Sequence, residues 1–217
     1  SDLEPENASF NASTATGGVT VHLDLNEADA LDFTYVGSRG ADRVVIEEDT
    51  LGDGIADVDT VRLSINAGSG TDTLVVKGDE STPTDLSAAA MAAVSGFEVL
   101  EITEWTDGAE FNLTHTHSDF TTIRLALSSD ANGNYNDNSL DLINLSATQA
   151  ANIVIDTAGD HDDHNMFDDL TIALKDASGS TDRVAISLIA DNTSDINQVV
   201  DGTLYLDDIE HLSFTTS

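Results

Sequence analysis

Three polar stretches of the chain carry side chains that could bind a metal ion. The first, residues 49–59, places carboxylates at odd-numbered positions around Gly54. Calcium takes about six to eight oxygen ligands, and alternating acidic residues let one bend of the chain aim several oxygens inward. The ordinary alternative is a solvated acidic turn. The predicted calcium ligands in this stretch are Asp49, Asp53, Asp57 and Asp59.

The same stretch resembles the acidic loops of EF-hand-like proteins and of the thrombospondin calcium repeats. It departs from them at Leu51, where those loops carry a second acidic ligand, so the resemblance implies a reduced ligand set. Strand-like runs flank it, Arg43 to Ile46 before and Thr60 to Ile65 after. Two strands around a loop of this length predict a hairpin with the metal at its tip.

The second and third stretches carry a similar density of oxygen ligands. In residues 130–138, asparagine replaces aspartate at alternate positions, although asparagine and glycine are also common in ordinary turns. In residues 159–169, His161 and His164 could suit a transition metal, calcium could bind the carboxylates alone, and a plain acidic turn is the ordinary alternative. The predicted ligands are Asp130, Asn132, Asn134, Asp160, Asp162 and Asp163.

Short glycine turns that end in aspartate precede apolar runs at several places in the chain. The turn that ends at Asp72 leads into Leu74, and similar turns end at Asp42 and Asp182. Asp42 precedes Asp72 by 30 positions, and a glutamate follows Asp72 by 26 positions and Asp182 by 28. Recurrence at such a period is typical of stacked β units.

The turn Gly68-Ser69-Gly70-Thr71-Asp72 resembles the nonapeptide of secreted RTX-type calcium-binding proteins, Gly-Gly-x-Gly-x-Asp-x-Leu. The resemblance implies that Gly68, Gly70 and Asp72 bind calcium between stacked β turns, with Leu74 in the core. Ala67 replaces the first glycine of the pattern, and tandem copies of it are absent. The runs around Glu98 and Glu210 look more like β-rich segments of bacterial surface-layer and large adhesin proteins.

Alternation of apolar and polar residues predicts many short strands. Val19 to Leu25 is one example, with its valines and leucines on one face and Thr20, His22 and Asp24 on the other. Strands of this length between Gly, Asp, Asn and Ser turns predict an all-β fold, either a β-sandwich or a β-solenoid. One short helix is predicted between Asp85 and Val94, with Thr84 or Asp85 as its N-cap.

The domain organisation is less sharply marked by the sequence. Residues 1–16 are small and polar, which favours a flexible lead-in. A first β-rich unit over 17–130 and a second over 131–217 are expected, with the seam at Ala131 to Ser139; a single domain is the alternative.

The charge balance restricts the partners of this protein. There are 41 acidic and 7 basic residues, a formal net charge of -34, and no cysteine. Such a surface repels nucleic acid and repels itself, so bound cations, high salt or a cationic partner should offset the repulsion. Adaptation to a salty environment is the alternative explanation of the acidity. No apolar run is long enough to span a bilayer.

These observations favour a structural, non-enzymatic protein that is secreted or at the cell surface. It would be a calcium-stabilised building block of a surface layer, filament or adhesin, and would self-assemble or contact neighbouring subunits. The alternative is a calcium-dependent β-sandwich module that binds a carbohydrate or a protein. Trp105 could stack on a sugar in that case, although a lone tryptophan is more often part of a core. Phosphate-binding and nucleophile motifs of enzymes are absent.

Overall fold

Parallel β-strands make up most of the structure. The computed structural model describes residues 8–23, 32–46, 62–77, 86–103, 105, 107–126, 139–156, 169–189 and 202–216. These residues form two compact units. One strand, β8 (Val99–Thr103), passes from the first unit to the second between Leu100 and Glu101.

Among the described residues, the first unit contains seven strands and one helix before β8, together with residues 115–120. Its elements are β1 (Ala8–Asn11), β2 (Thr20–Leu23), β3 (Asp32–Val36), β4 (Arg43–Ile46), β5 (Arg62–Asn66), β6 (Thr73–Lys77), helix α1 (Ala88–Ala93) and β7 (Val94–Ser95). The odd-numbered strands pair in the order β1-β3-β5-β7, and the even-numbered strands in the order β2-β4-β6-β8.

The second unit repeats this arrangement. Its elements are β9 (Ala109–Asn112), β10 (Thr122–Ala126), β11 (Leu140–Leu145), helix α2 (Ala147–Ala150), β12 (Ile153–Asp156), β13 (Leu170–Leu174), β14 (Arg183–Ile189), β15 (Leu204–Leu206) and β16 (His211–Thr216). The odd strands pair in the order β9-β11-β13-β15 and the even strands in the order β10-β12-β14-β16.

Strands that follow each other in sequence lie in different sheets, so the chain winds as a β-solenoid. Each coil contributes one strand to the odd row and one to the even row, and neighbouring coils pair in parallel. The all-β prediction is confirmed, and of its two forms the solenoid is the correct one. The predicted hairpin around residues 47–59 is wrong: β4 pairs with β2 and β6, whereas β5 pairs with β3 and β7.

The core consists of columns of apolar residues that repeat from coil to coil. In the first unit Val44 pairs with Leu74 and Ile46 with Val76, and all four are fully buried. In the second unit Leu140 pairs with Leu170, both also fully buried. Because the side-chain period of a strand is two, an in-register parallel stack keeps each inward column apolar along its whole length.

Two short α-helices occur among the described residues, one more than predicted. Helix α1 begins three residues after Asp85, because Ser87 caps it: its Oγ accepts the N–H of Ala90 at 3.2 Å. Helix α2 has a capping box, in which Ser146 and Gln149 each accept the other's backbone N–H. Within the described part of the chain, neither helix is long or apolar enough to cross a membrane.

Candidate functional site

The aspartates that end the glycine turns form a hydrogen-bonded ladder in the first unit. Asp42 directly precedes β4, and Asp72 directly precedes β6. The Oδ1 atom of Asp72 accepts the backbone N–H of Asp42 at 2.7 Å, and Oε2 of Glu98 accepts the N–H of Asp72 at 2.8 Å. Oδ1 of Asp42 in turn accepts the N–H of Val19 at 2.7 Å. Each carboxylate therefore binds the turn of the preceding coil.

Backbone groups reinforce the same ladder in the opposite direction. The N–H of Arg43 donates to the carbonyl of Val19, and the N–H of Thr73 to the carbonyl of Asp42, both at 2.8 Å. The N–H of Val99 donates to the carbonyl of Asp72 at 3.0 Å. At each step, therefore, one side-chain and one backbone hydrogen bond tie neighbouring coils together.

The second unit carries a shorter version of the ladder. Oε2 of Glu210 accepts the N–H of Asp182 at 2.8 Å, and the N–H of His211 donates to the carbonyl of Asp182 at 3.0 Å. Oδ2 of Asp182 accepts the N–H of Gly179 at 3.1 Å. The acidic pairs that recur in the sequence therefore occupy equivalent places in the two units, and the predicted internal repetition is confirmed.

Gly68 and Gly70 have a structural reason to be glycine. Gly68 has a φ of 97°, in the left-handed region, and a Cβ atom on it would lie 2.5 Å from the carbonyl oxygen of Ser38. A Cβ atom on Gly70 would lie 2.4 Å from the carbonyl oxygen of Gly40. Both contacts are with the backbone of the preceding coil, so the glycines permit the close stacking of the turns.

Asp72 is fully buried, and one of its two carboxylate oxygens, Oδ2, has no hydrogen-bond partner among the described residues. Burial raises the pKa of Asp72, the hydrogen bond from the Asp42 N–H lowers it, and the negative charges of Asp42 and Glu98 raise it further; the net shift is upward. The hydroxyl of Tyr35 is also buried, and no group in the described part of the chain forms a hydrogen bond with it. Burial, followed by the charges of Asp42 and Asp72, raises the pKa of Tyr35 to about 12.

The buried Oδ2 atom of Asp72 is a position where a proton or a cation could neutralise the carboxylate. Of the three predicted calcium-binding residues in this turn, Asp72 supplies that oxygen, and Gly68 and Gly70 shape the turn beside it. Within the described residues, His, Asp and Glu side chains do not come together in any group of three or more that could hold a metal ion.

The remaining predicted ligands lie outside the described residues, and calcium binding there stays a prediction. They are Asp49, Asp53, Asp57, Asp59, Asp130, Asn132, Asn134, Asp160, Asp162 and Asp163.

A charged cluster in the second unit was not predicted. Arg124 on β10 forms ion pairs with Asp156 on β12 and, at 3.7 Å from Nε to Oε2, with Glu101 on β8. Both carboxylates are buried, whereas the side chain of Arg124 is 39% exposed. Arg124 and Asp156 are 32 positions apart in the sequence, so only the coil register brings them together.

Trp105 is only 7% exposed and belongs to the buried apolar residues. Its ring is therefore not exposed as a surface on which a sugar could stack.

Comparison with known proteins adds no relative: no family model, no curated protein and no solved structure matches this chain.

Proposed function

We propose that this protein is a structural, calcium-stabilised β-solenoid that serves as a building block of a surface layer, filament or adhesin outside the cell. The acidic ladder is the observation that carries the proposal. Its carboxylates accept hydrogen bonds from the backbone of the neighbouring coil, and this gives them a role in holding the stack together.

Calcium is the cation that this acidity would recruit. The net charge of -34 makes the folded chain repel itself, and Asp72 keeps a buried oxygen without a donor. An ion that binds only the folded form stabilises it, by about 2.7 kcal/mol at a hundredfold excess over Kd. In the ladder, Asp72 would hold the ion beside the Gly68 and Gly70 turn. The acidic stretches at 49–59, 130–138 and 159–169 would hold further ions.

Thermal unfolding followed by circular dichroism tests this proposal. The protein would be melted in millimolar calcium and again in chelator, at matched ionic strength, and a third time with magnesium in place of calcium. We expect a higher Tm in calcium than in either control, because calcium takes a larger shell of oxygen ligands than magnesium, and closely spaced carboxylates can supply one. Coincident melts that shift only with bulk salt would show that the acidity serves general salt tolerance, and the calcium proposal would then fail.

A further inference from the structure

Three asparagines in the described part of the chain begin the tripeptide Asn-x-Ser/Thr. They are Asn11, Asn112 and Asn144, followed by the hydroxyl residues Ser13, Thr114 and Ser146. The same tripeptide at Asn7 and at Asn192 has its asparagine outside the described residues. This tripeptide is the acceptor sequence of N-linked glycosylation, in which the amide nitrogen receives a sugar. Because so short a pattern also arises by chance, the surroundings of each asparagine decide whether it can be an acceptor.

Asn11 and Asn112 occupy the same kind of corner, each as the last residue of an odd-numbered strand. The Oδ1 atom of each accepts the backbone N–H two residues later, that of Ser13 at 3.0 Å and that of Thr114 at 3.1 Å. The apolar residue between them is buried in both corners. Each corner therefore holds the asparagine on the outside of the coil, while the next side chain packs inside.

Two other corners show what this turn requires. Asn66, the last residue of β5, is exposed and accepts the N–H of Gly68 at 2.8 Å. After β13, Asp176 accepts the N–H of Ser178 at 3.1 Å. The turn therefore needs a side-chain oxygen, which asparagine or aspartate can supply, and it forms without a hydroxyl at the third position. An amide nitrogen together with a hydroxyl is more than the turn requires.

The amide groups of Asn11 and Asn112 are accessible. Both side chains are exposed, and the Nδ2 atom of neither donates a hydrogen bond to a described residue. At Asn112 the Oγ1 atom of Thr114 donates to Oδ1 at 2.6 Å, so the hydroxyl lies beside the amide. Because the hydrogen bonds of the corner use Oδ1 alone, Nδ2 is left as the atom that can receive a substituent.

Asn144 differs from these two asparagines in each of these respects. It is half-buried, and its Nδ2 atom donates to Oδ1 of Asn112 at 3.0 Å. The hydroxyl of Ser146 caps helix α2 by accepting the N–H of Gln149 at 3.3 Å. Strands β9 and β11 are direct neighbours, about 4.8 Å apart, so a sugar on Asn112 would also cover Asn144. Of the two asparagines, Asn112 is therefore the acceptor.

We propose that Asn11 and Asn112 are N-glycosylated and that Asn144 is not. The co-substrate is a sugar that carries a phosphate group on its anomeric carbon. A bond forms between Nδ2 and that carbon, the bond from the carbon to the phosphate oxygen breaks, and the phosphate leaves with the electron pair. Nδ2 gives up one proton to a base of the transferase. The inference rests on the proposed function, since the acceptor tripeptide is used in secreted proteins.

The modified corners keep their hydrogen bonds. The new bond is made by Nδ2, whereas the turn and the contact from Asn144 use the Oδ1 atoms. A glycan therefore adds a bulky, solubilising group to the surface of each unit without removing a contact that holds the coils.

Glycopeptide mass spectrometry of the protein purified from the cells that make it tests the inference. Cleavage at aspartate residues places the four relevant asparagines on separate peptides. We expect a glycan on the peptides of Asn11 and Asn112 and none on those of Asn66 and Asn144. Asn66 is the internal control, because it forms the same exposed corner with glycine in place of the hydroxyl residue.

Variants of the hydroxyl residues test the role of the tripeptide. Thr114→Ala should lose the glycan of Asn112 and keep that of Asn11, and Ser13→Ala should do the reverse. The glycan that remains shows that each variant folds and reaches the transferase. Thr114→Ser should keep both glycans, because it retains the hydroxyl. Ser64→Ala is the matched control, since it removes an exposed hydroxyl outside the tripeptide.

Four results would overturn the inference. They are an unmodified Asn11 or Asn112 in protein recovered outside the cell, a glycan on Asn66, a glycan on Asn144, and a glycan that persists after the hydroxyl of its tripeptide is removed.

Failure of this inference differs from failure of the proposed function. An unmodified protein that is found outside the cell and melts at a higher temperature in calcium would retain the structural role and lose the glycosylation sites. A glycosylated protein with the same Tm in calcium and in chelator would retain the sites and lose the calcium proposal.

Discussion

Replacement of Asp72 separates the two roles of its carboxylate. Oδ1 accepts the backbone N–H of Asp42, whereas Oδ2 is buried without a partner. Asp72→Asn keeps an acceptor for that N–H and removes the buried charge. Asp72→Ala removes both. The difference between the two variants therefore reports the hydrogen bond, and the difference between asparagine and wild type reports the charge.

The expected difference in stability between the asparagine and alanine variants follows from the buried donor, the N–H of Asp42. Alanine leaves the Asp42 N–H without an acceptor at a fully buried site, and such an orphaned donor costs about 1–3 kcal/mol. For a chain of this length each kcal/mol shifts Tm by about 2–4 °C. The alanine variant should therefore melt about 2–12 °C below the asparagine variant, as measured by circular dichroism in chelator.

The difference in stability between Asp72→Asn and wild type depends on pH. Because the pKa of Asp72 is raised in the folded state, chiefly by burial, folding favours its protonated form. The stability that this residue contributes is therefore fully present below its ordinary pKa and is lost as the pH rises through the folded pKa. In chelator at neutral pH, Asp72→Asn should be more stable than wild type, and the gap should close as the pH is lowered.

Two results would refute this reasoning. Equal stability of the asparagine and alanine variants would show that the hydrogen bond between coils contributes nothing. An asparagine variant that is less stable than wild type in chelator at neutral pH would show that the buried charge is compensated within the chain. If Asp72 holds calcium, the asparagine variant should also lose part of the Tm increase that calcium gives to wild type.

Two further substitutions probe the stacking of the coils. Gly68→Ala should lower the free energy of unfolding by more than Gly108→Ala does. Both glycines have a left-handed φ, but only at Gly68 would the added Cβ atom meet a backbone oxygen. Urea unfolding of the two variants measures this difference, and an equal loss of stability in both would contradict the prediction. Arg124→Met should lower the free energy of unfolding by about 1–3 kcal/mol, which is less than for a fully buried ion pair because the arginine is partly exposed. Arg183→Met, at an exposed site, should lower it by about 1 kcal/mol or less. A similar loss of stability in both variants would show that the buried carboxylates do not need Arg124.

The local sequence determined the strands, the turns and the repetition. Val21 and Leu23 alternate with polar residues and identify β2 as a strand with one buried face, whereas the continuous apolar run Val44-Val45-Ile46 identifies β4, which is buried on both faces. The Gly-x-Asp turns and their spacing of about 30 residues identify the coils, because only glycine allows adjacent turns to approach so closely. The preference for an all-β fold needs nothing beyond these local patterns.

Only the tertiary structure decided which strands pair. β4 and β5 could have formed a hairpin on local pattern alone, but both edges of β4 are occupied by β2 and β6 in parallel, and hydrogen bonds between distant residues do not show in a short window of sequence. The role of Asp72 was hidden for the same reason: the glycine turn indicates an acidic residue at a tight bend, but its partner is a backbone N–H 30 positions away. The ion pair of Arg124 with Asp156 spans 32 positions and depends on the same stacking.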